Sequence, residues 1–300
     1  MRVFLTGATG FIGSRIVPEL IARGHEVIGM TRSEAGVATL KAAGAVPHHA
    51  TLEDPAGIAA GAEDADAVIH TAFDHDFANF AANCEKDRRV IAALGAALAG
   101  SDRPLLVTSG TGMGDPGDGG PAVEDILNRD HPNPRIASED ALGKLLQDGI
   151  NGKVMRLPQV HDTRRQGLIS PYVQIARQKG AVAYVGDGAN RWPAAHVADV
   201  AALYAMAFDQ GGPGARFHAV AEEGIPMRDI AEVLGKGLDL PVVSIGADEV
   251  ADHFGWFAGF AGLDMPASSA RTRAALSWTP TGPGLIEDLQ AMDYGALAAE

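Results

Sequence analysis

The run Thr6-Gly7-Ala8-Thr9-Gly10-Phe11-Ile12-Gly13 lies between a short apolar stretch, Arg2 to Leu5, and a set of apolar residues at helical spacing: Phe11, Ile12, Ile16, Val17, Leu20 and Ile21. A strand, a glycine-rich turn and a helix start therefore follow one another. Gly7 permits a tight bend, Gly10 lets the backbone come close to a ligand, and Gly13 lets helix and strand pack closely. The free N–H groups of the helix start and the positive end of its dipole suit a diphosphate. In a chain with 37 glycines, three alone say little. The strand before and the helix after make the turn point to a bound dinucleotide.

The second strand ends in Met30-Thr31-Arg32-Ser33. An acidic residue there would accept hydrogen bonds from the adenosine ribose hydroxyls and repel a 2′-phosphate. None is present. Arg32 can instead grip that phosphate through a charge-assisted fork, with Ser33 as a second donor, which selects NADP(H) over NAD(H).

The elements that must position these residues alternate. Strands are expected over Arg2 to Leu5, Glu26 to Met30, Ala45 to His48, Ala67 to Thr71, Pro104 to Thr108 and Lys153 to Arg156. Later helices are expected after a Ser33 cap as far as the Gly44 stop, near Pro55 to Ala62, from Phe80 to Ala99, and over Arg135 to Gln147; Gly110 to Gly120 reads as a flexible loop. Repeated units of this kind predict an α/β protein with a doubly wound parallel sheet.

The 300 residues, 46% hydrophobic, suffice for one large and one small lobe. A net charge of -14 argues against nucleic acid or an anionic membrane surface as the main partner. The single Cys84 excludes an intrachain disulfide, and Arg15, Glu19 and Arg23 interrupt the apolar N-terminal stretch. Neither signal peptide nor membrane span is expected, and the chain reads as cytoplasmic.

Five motifs then fall in a telling order: Thr6 to Gly13, Val68-Ile69-His70-Thr71-Ala72, Val107-Thr108-Ser109, Arg156-Leu157-Pro158-Gln159-Val160-His161 and His196-Val197-Ala198-Asp199-Val200-Ala201. This order resembles the extended short-chain dehydrogenases/reductases, the NAD-dependent epimerase/dehydratase-like family. Arg216-Phe217-His218-Ala219-Val220, a helix near Met227 to Gly235, and Leu276-Ser277-Trp278-Thr279-Pro280 extend the resemblance over nearly the whole chain. It implies a Rossmann-type domain over 1–160, rejoined by 187–217 with a return to the main sheet around Trp192 to Phe208. A smaller C-terminal substrate lobe, 161–186 and 218–300, completes the chain. The resemblance also implies that Thr9, Phe11, Ile12, Thr51, Leu52, Thr71, Ala72, Phe73 and Pro158 join Gly7, Gly10, Gly13, Arg32 and Ser33 around the cofactor. A homodimer on the two long helices is a further implication; Ile91, Leu94, Leu98, Leu142 and Leu145 could either face a partner or be buried within one subunit.

One departure from the family pattern decides the chemistry. The family's Tyr-x-x-x-Lys pair is absent: Ser109 holds the serine position, Arg135 the tyrosine's and Glu139 the lysine's. Four residues before Lys144 stands Asp140, and none of Tyr172, Tyr184, Tyr204 and Tyr294 has a lysine four residues on. Reducing a carbonyl requires a proton or cation for the developing alkoxide. Arg135 can stabilise that charge but is too basic to surrender a proton. Ser109 can hydrogen-bond the substrate oxygen. His75, in Phe73-Asp74-His75-Asp76 beyond the fourth strand, and His161, just past the sixth, titrate near neutrality and are the candidate proton donors. An ordinary loop role competes for each histidine.

Aromatic residues concentrate in His253-Phe254-Gly255-Trp256-Phe257-Ala258-Gly259-Phe260. This stretch can form a lid, with Trp256 over an apolar or aromatic substrate and Trp192 on the facing wall; core packing is an equal competitor. Only Gln159 and Arg191 present themselves for a sugar nucleotide's diphosphate. No metal is expected: His196 with Asp199, and His48-His49, lack convincing ligand spacing. A Gly-x-Ser-x-Gly hydrolase signature is missing. Three readings stand: an NADP(H)-dependent oxidoreductase for a small, largely apolar or aromatic carbonyl or alcohol; a sugar epimerase or dehydratase that keeps NAD bound; and a non-catalytic NADP(H) sensor.

Overall fold

The computed structural model describes residues 1–295. In its first half come β1 (Arg2–Thr6), α1 (Gly13–Ala22), β2 (Glu26–Thr31), α2 (Glu34–Ala42), β3 (Val46–His49), α3 (Pro55–Glu63), β4 (Ala67–His70), α4 (Phe80–Ala97), β5 (Leu105–Gly110), α5 (Ile136–Gln147) and β6 (Gly152–Leu157). The second half holds β7 (Gln159–His161), α6 (Ile169–Lys179), β8 (Val182–Val185), β9 (Arg191–His196), α7 (Val197–Ala207), β10 (Arg216–His218), β11 (Glu222–Pro226), α8 (Met227–Leu238), β12 (Val242–Ile245), α9 (Val250–Phe254), α10 (Ala258–Ala261), α11 (Ala270–Leu276) and α12 (Leu285–Ala291).

Seven parallel strands form the main sheet in the order β10-β6-β5-β4-β1-β2-β3. Alternation along β1 explains why both faces are covered. Val3 and Leu5 point into one core with Ile16, Val17 and Leu20 of α1 and Val200 and Tyr204 of α7. Phe4 points into the other, with Ile58 of α3, Ile91 and Leu94 of α4 and Leu142 of α5. Ile91, Leu94, Leu98, Leu142 and Leu145 are all buried inside the subunit, so none is available to a partner.

Two local readings change. The stretch expected as a flexible loop contains a 3₁₀ turn, Thr111–Gly114, with Met113 only 1% exposed. Gly114 makes this possible: a Cβ there would stand 2.4 Å from the Val123 carbonyl oxygen and 2.6 Å from Arg156 Nη1. Of the stretch Trp192 to Phe208 expected to return to the main sheet, only α7 does so, packing on its face, and the strand that rejoins the sheet is β10. Pro158, which has no N–H to continue a ladder, separates β6 from β7. β7 then pairs in parallel with β9, and β11 adds antiparallel, as a separate three-stranded sheet. β8 and β12 form a third, two-stranded sheet. The last lobe has its own core around Tyr172, Trp192, Leu234, Phe257 and Leu289. Among the described residues no helix is long and apolar enough to cross a membrane.

Candidate active site

The turn after β1 is built by its glycines. Gly7 sits at φ +69°, and a Cβ there would lie 2.8 Å from the Ala72 nitrogen. A Cβ on Gly13 would stand 2.1 Å from the Gly7 carbonyl oxygen, so α1 can start only where position 13 has no side chain. Thr6 ties this turn to the end of β4: the N–H groups of Thr71 and Ala72 donate to its Oγ1 at 3.1 and 3.2 Å, and Thr71 Oγ1 donates to its carbonyl at 2.7 Å. At the end of β2, Arg32 is exposed and has no partner among the described residues. Ser33 Oγ accepts the Gly36 N–H at 3.1 Å as the cap of α2, leaving its hydroxyl hydrogen uncommitted. Half-buried Thr51 and Leu52 lie beside Glu53, whose carboxylate pairs with Lys86 of α4. Lys86 also reaches Asp74 at 2.9 Å, which fixes the loops after β3 and β4 to each other.

Arg135, at the position expected for the family's tyrosine, leads into α5. Its Nη1 donates to Asp87 Oδ2 at 2.7 Å and to Ser138 Oγ at 2.8 Å, and its Nη2 to the Thr108 carbonyl at 3.0 Å. The guanidinium also lies over the Phe73 ring, 3.9 Å from its centroid. Asp87 Oδ1 meets His70 Nε2 at 2.9 Å, and His70 Nδ1 meets Thr6 Oγ1 at 2.7 Å. Thr6 Oγ1 already accepts two N–H groups, so its hydrogen goes to Nδ1 and His70 carries its own proton on Nε2. Burial pushes the Asp87 carboxyl up, but the Arg135 charge and the His70 hydrogen bond outweigh it and hold the pKa at about 2. Thr108 Oγ1 also meets Tyr204 OH at 2.6 Å. Burial drives that phenol upward.

Glu139, at the family's lysine position, faces a different structure. It forms a fork with fully buried Arg156, at 2.8 and 2.9 Å. Ser109, 3% exposed, is at the end of β5 with no hydrogen-bond partner for its Oγ among the described residues. Buried hydroxyls are rarely left so.

The remaining candidates divide into two groups. His75 packs edge-on against Phe73, centroids 5.3 Å apart, and so belongs with Arg135. It is exposed, and packing against the protein followed by the Arg135 charge lowers its pKa. Arg165 adds a smaller push in the same direction. His161 is in another cluster: fully buried, it meets Asp288 Oδ2 through Nδ1 at 2.6 Å and packs near His196, while its Nε2 has no partner among the described residues. Burial lowers the His161 pKa against the pull of Asp288.

The diphosphate candidates are already engaged. Gln159 Oε1 accepts the Leu168 N–H at 2.9 Å, and Arg191 forks onto Asp264 at 3.0 and 2.8 Å. Trp192 is fully buried, with its indole N–H on the Leu263 carbonyl, so it packs with Phe254 and Phe257 in the core of the last lobe instead of lining a cleft. Trp256 is 45% exposed and stacks on Phe77, centroids 4.9 Å apart and planes within 6°. A surface hollow of about 370 Å³ lined by Arg23, His25, Met206 and Asp209 gathers none of these residues. No group of three or more His, Cys, Asp or Glu side chains among the described residues could hold a metal.

Sequence reasoning missed Asp87, His70, Asp288 and Arg165. Asp87 had a faint signal, a carboxylate on an otherwise inward-facing stripe of α4 with Val90, Ile91 and Leu94. Asp288 joins His161 across 127 positions and left none.

A parallel sheet in this strand order, with a glycine turn on its central strand, defines a dinucleotide-binding α/β protein. The chain belongs to the NAD dependent epimerase/dehydratase family, whose model matches residues 3–219. Its nucleotide is accordingly a nicotinamide dinucleotide. It is 42% identical over 98% of its length to "Uncharacterized protein C2A9.02" of Schizosaccharomyces pombe, all of which is covered. It is 26% identical to the 2-alkyl-3-oxoalkanoate reductase of Stenotrophomonas maltophilia, over 81% of this chain and 77% of that one. In fold it matches the UDP-glucose 4-epimerase of Thermotoga maritima, with a TM-score of 0.76, 20% identity and full coverage of both chains.

Proposed function

We propose that this protein is an NADP(H)-dependent oxidoreductase that acts on a small, largely apolar or aromatic carbonyl or alcohol, using a non-standard proton donor. The cofactor choice is carried by Arg32, an exposed guanidinium without a partner among the described residues beside a Ser33 hydroxyl that can still donate. A bound NADPH would supply the hydride. The chain's residues would then manage the charge: Arg135 and the unpartnered Ser109 hydroxyl steady the oxygen on which the electron pair accumulates. In reduction His75, which solvent can reprotonate, delivers the proton. The same group takes the proton back in the reverse direction; His161, with Nδ1–H on Asp288 and an Nε2 that has no partner among the described residues, is the alternative carrier for both directions. Phe73, Phe77 and Trp256 supply the apolar surface, and Gln159 and Arg191 are too committed to serve a sugar diphosphate.

A cytoplasmic location fits the single free cysteine. A homodimer on α4 and α5 would have to use outward Ala92 and Ala96, since the leucines and Ile91 are buried. The exposed Arg164 and Arg165 favour a second reading, an epimerase or dehydratase acting on a nucleotide sugar with NAD retained. Following NADPH absorbance with aryl aldehydes, aryl ketones and UDP-glucose separates the two. Oxidation of NADPH by the aryl carbonyls is expected. NAD released on denaturing the purified protein, together with conversion of UDP-glucose, would overturn the oxidoreductase reading.

A further inference from the structure

Two arginines, half-buried Arg135 ahead of α5 and fully buried Arg156 in β6, are used differently. Arg156 commits all five N–H groups: Nε and Nη2 to Glu139, Nη2 again to the Ile126 carbonyl, and Nη1 to the Val123 carbonyl and His218. That is how an arginine serves structure. Arg135 commits three, two on Nη1 and one on Nη2, and keeps Nε–H and the second Nη2–H without a partner among the described residues. Its carboxylate meets it at one corner, although a fork was available.

Asp87 can hold only that corner because its other oxygen is taken. His70 occupies Oδ1 and is itself fixed by Thr6, the last residue of β1 before the glycine turn. Ser138 shares Oδ2 at 2.6 Å, and Phe73 covers one face of the guanidinium. Both carboxylate oxygens of a side chain only 1% exposed are thus satisfied by three side chains, from β4 and from α5 with its cap. A buried carboxylate is costly unless so paired.

We propose that Asp87, braced by His70, is the positioning residue that holds Arg135 with two N–H groups open for the substrate oxygen, replacing the absent tyrosine and lysine. The inference rests on the oxidoreductase reading above. Asp87 touches neither cofactor nor substrate; it acts through Arg135.

The test uses the full chain, NADPH and 9,10-phenanthrenequinone as the carbonyl probe. Asp87→Asn and Arg135→Ala should each lower kcat about 100-fold, as expected for losing a preorganised oxyanion partner. NADPH affinity, read from nicotinamide fluorescence, should change less than about 3-fold, which is under 1 kcal/mol. The double variant should be no slower than either single one, because the two act as a unit. Guanidinium ion at millimolar concentration should restore turnover to Arg135→Ala and raise its melting temperature, and should do neither in the double variant. Arg135→Lys, which keeps the charge without the fork, serves if Asp87→Asn does not fold, and should fall between wild type and Arg135→Ala. Additive losses, or guanidinium rescue that persists without Asp87, would overturn the positioning role. Wild type that binds NADPH but leaves the quinone untouched also overturns it, while the cofactor assignment survives. Absence of NADPH binding defeats the parent reading instead.

Discussion

The glycine turn after β1 and the Arg135 cluster are joined through Thr6, yet they are encoded differently. The turn is local: Gly7, Gly10 and Gly13 act within seven residues, and a Cβ at Gly13 would collide with the Gly7 carbonyl. The Arg135 cluster is assembled from Thr6, His70, Asp87, Thr108 and Arg135, which meet only after the sheet has formed. The turn can therefore be broken by one methyl group, whereas the Arg135 cluster should lose function through charge and orientation with the fold intact.

The sharpest break is Gly13→Ala. The added Cβ, 2.1 Å from the Gly7 oxygen, must displace the turn or the start of α1. Overpacking of this kind costs about 3 kcal/mol or more, so NADPH affinity should fall at least about 100-fold in a fluorescence titration. Retained affinity would mean that the diphosphate is not held there.

The next effect concerns the buried Arg156–Glu139 cluster, outside both regions. Burial and the neighbouring Arg156 push the His218 pKa down from 6.5 to about 4, with Nε2 accepting from Arg156 and Nδ1–H donating to the Ser268 carbonyl. Between these values the unfolded chain binds a proton that the folded one refuses. Stability is therefore full above about pH 6.5 and falls by up to about 3 kcal/mol as the pH drops towards 4. Urea unfolding across that range should show the slope, and His218→Gln should flatten its share. A slope unchanged in the variant would assign the acid sensitivity to other groups.

Arg32→Ala should weaken NADPH binding about 10- to 100-fold and leave NADH unchanged, the worth of a charge-assisted contact. Equal losses for both cofactors would show that Arg32 supports the loop and not a 2′-phosphate. The smallest effect is expected at the lid. Trp256→Ala removes the stacking on Phe77 and should raise KM for an aryl carbonyl several-fold, about 1 kcal/mol, without altering a short aliphatic ketone. Trp192 and Trp278 are buried, so the same variant should abolish most acrylamide-quenchable fluorescence.

Much of the fold could be read because its signals are local. β1, the glycine turn, the Ser33 cap and the long α4 each follow from periodicity and capping within a dozen residues. The misplaced return strand has a different cause. Whether β9 joins β6 or β7 depends on where Pro158 interrupts the ladder, and the local pattern of Arg191 to His196 suits either sheet. Candidate residues divide the same way. Arg135 and Ser109 were marked by their positions in the family pattern, while Asp87 and Asp288 were hidden because their partners lie 48 and 127 positions away. Trp192 drew attention by its type, and only the packing of the last lobe places it in a core.

The central claim is the grip on a phosphorylated dinucleotide, and parallel equilibrium titrations of the purified chain with NADPH and NADH test it most directly. Saturable NADPH binding at least about 10-fold tighter than NADH is the predicted result, a difference of about 1.4 kcal/mol. Tighter or equal binding of NADH, or saturation by neither, would contradict it.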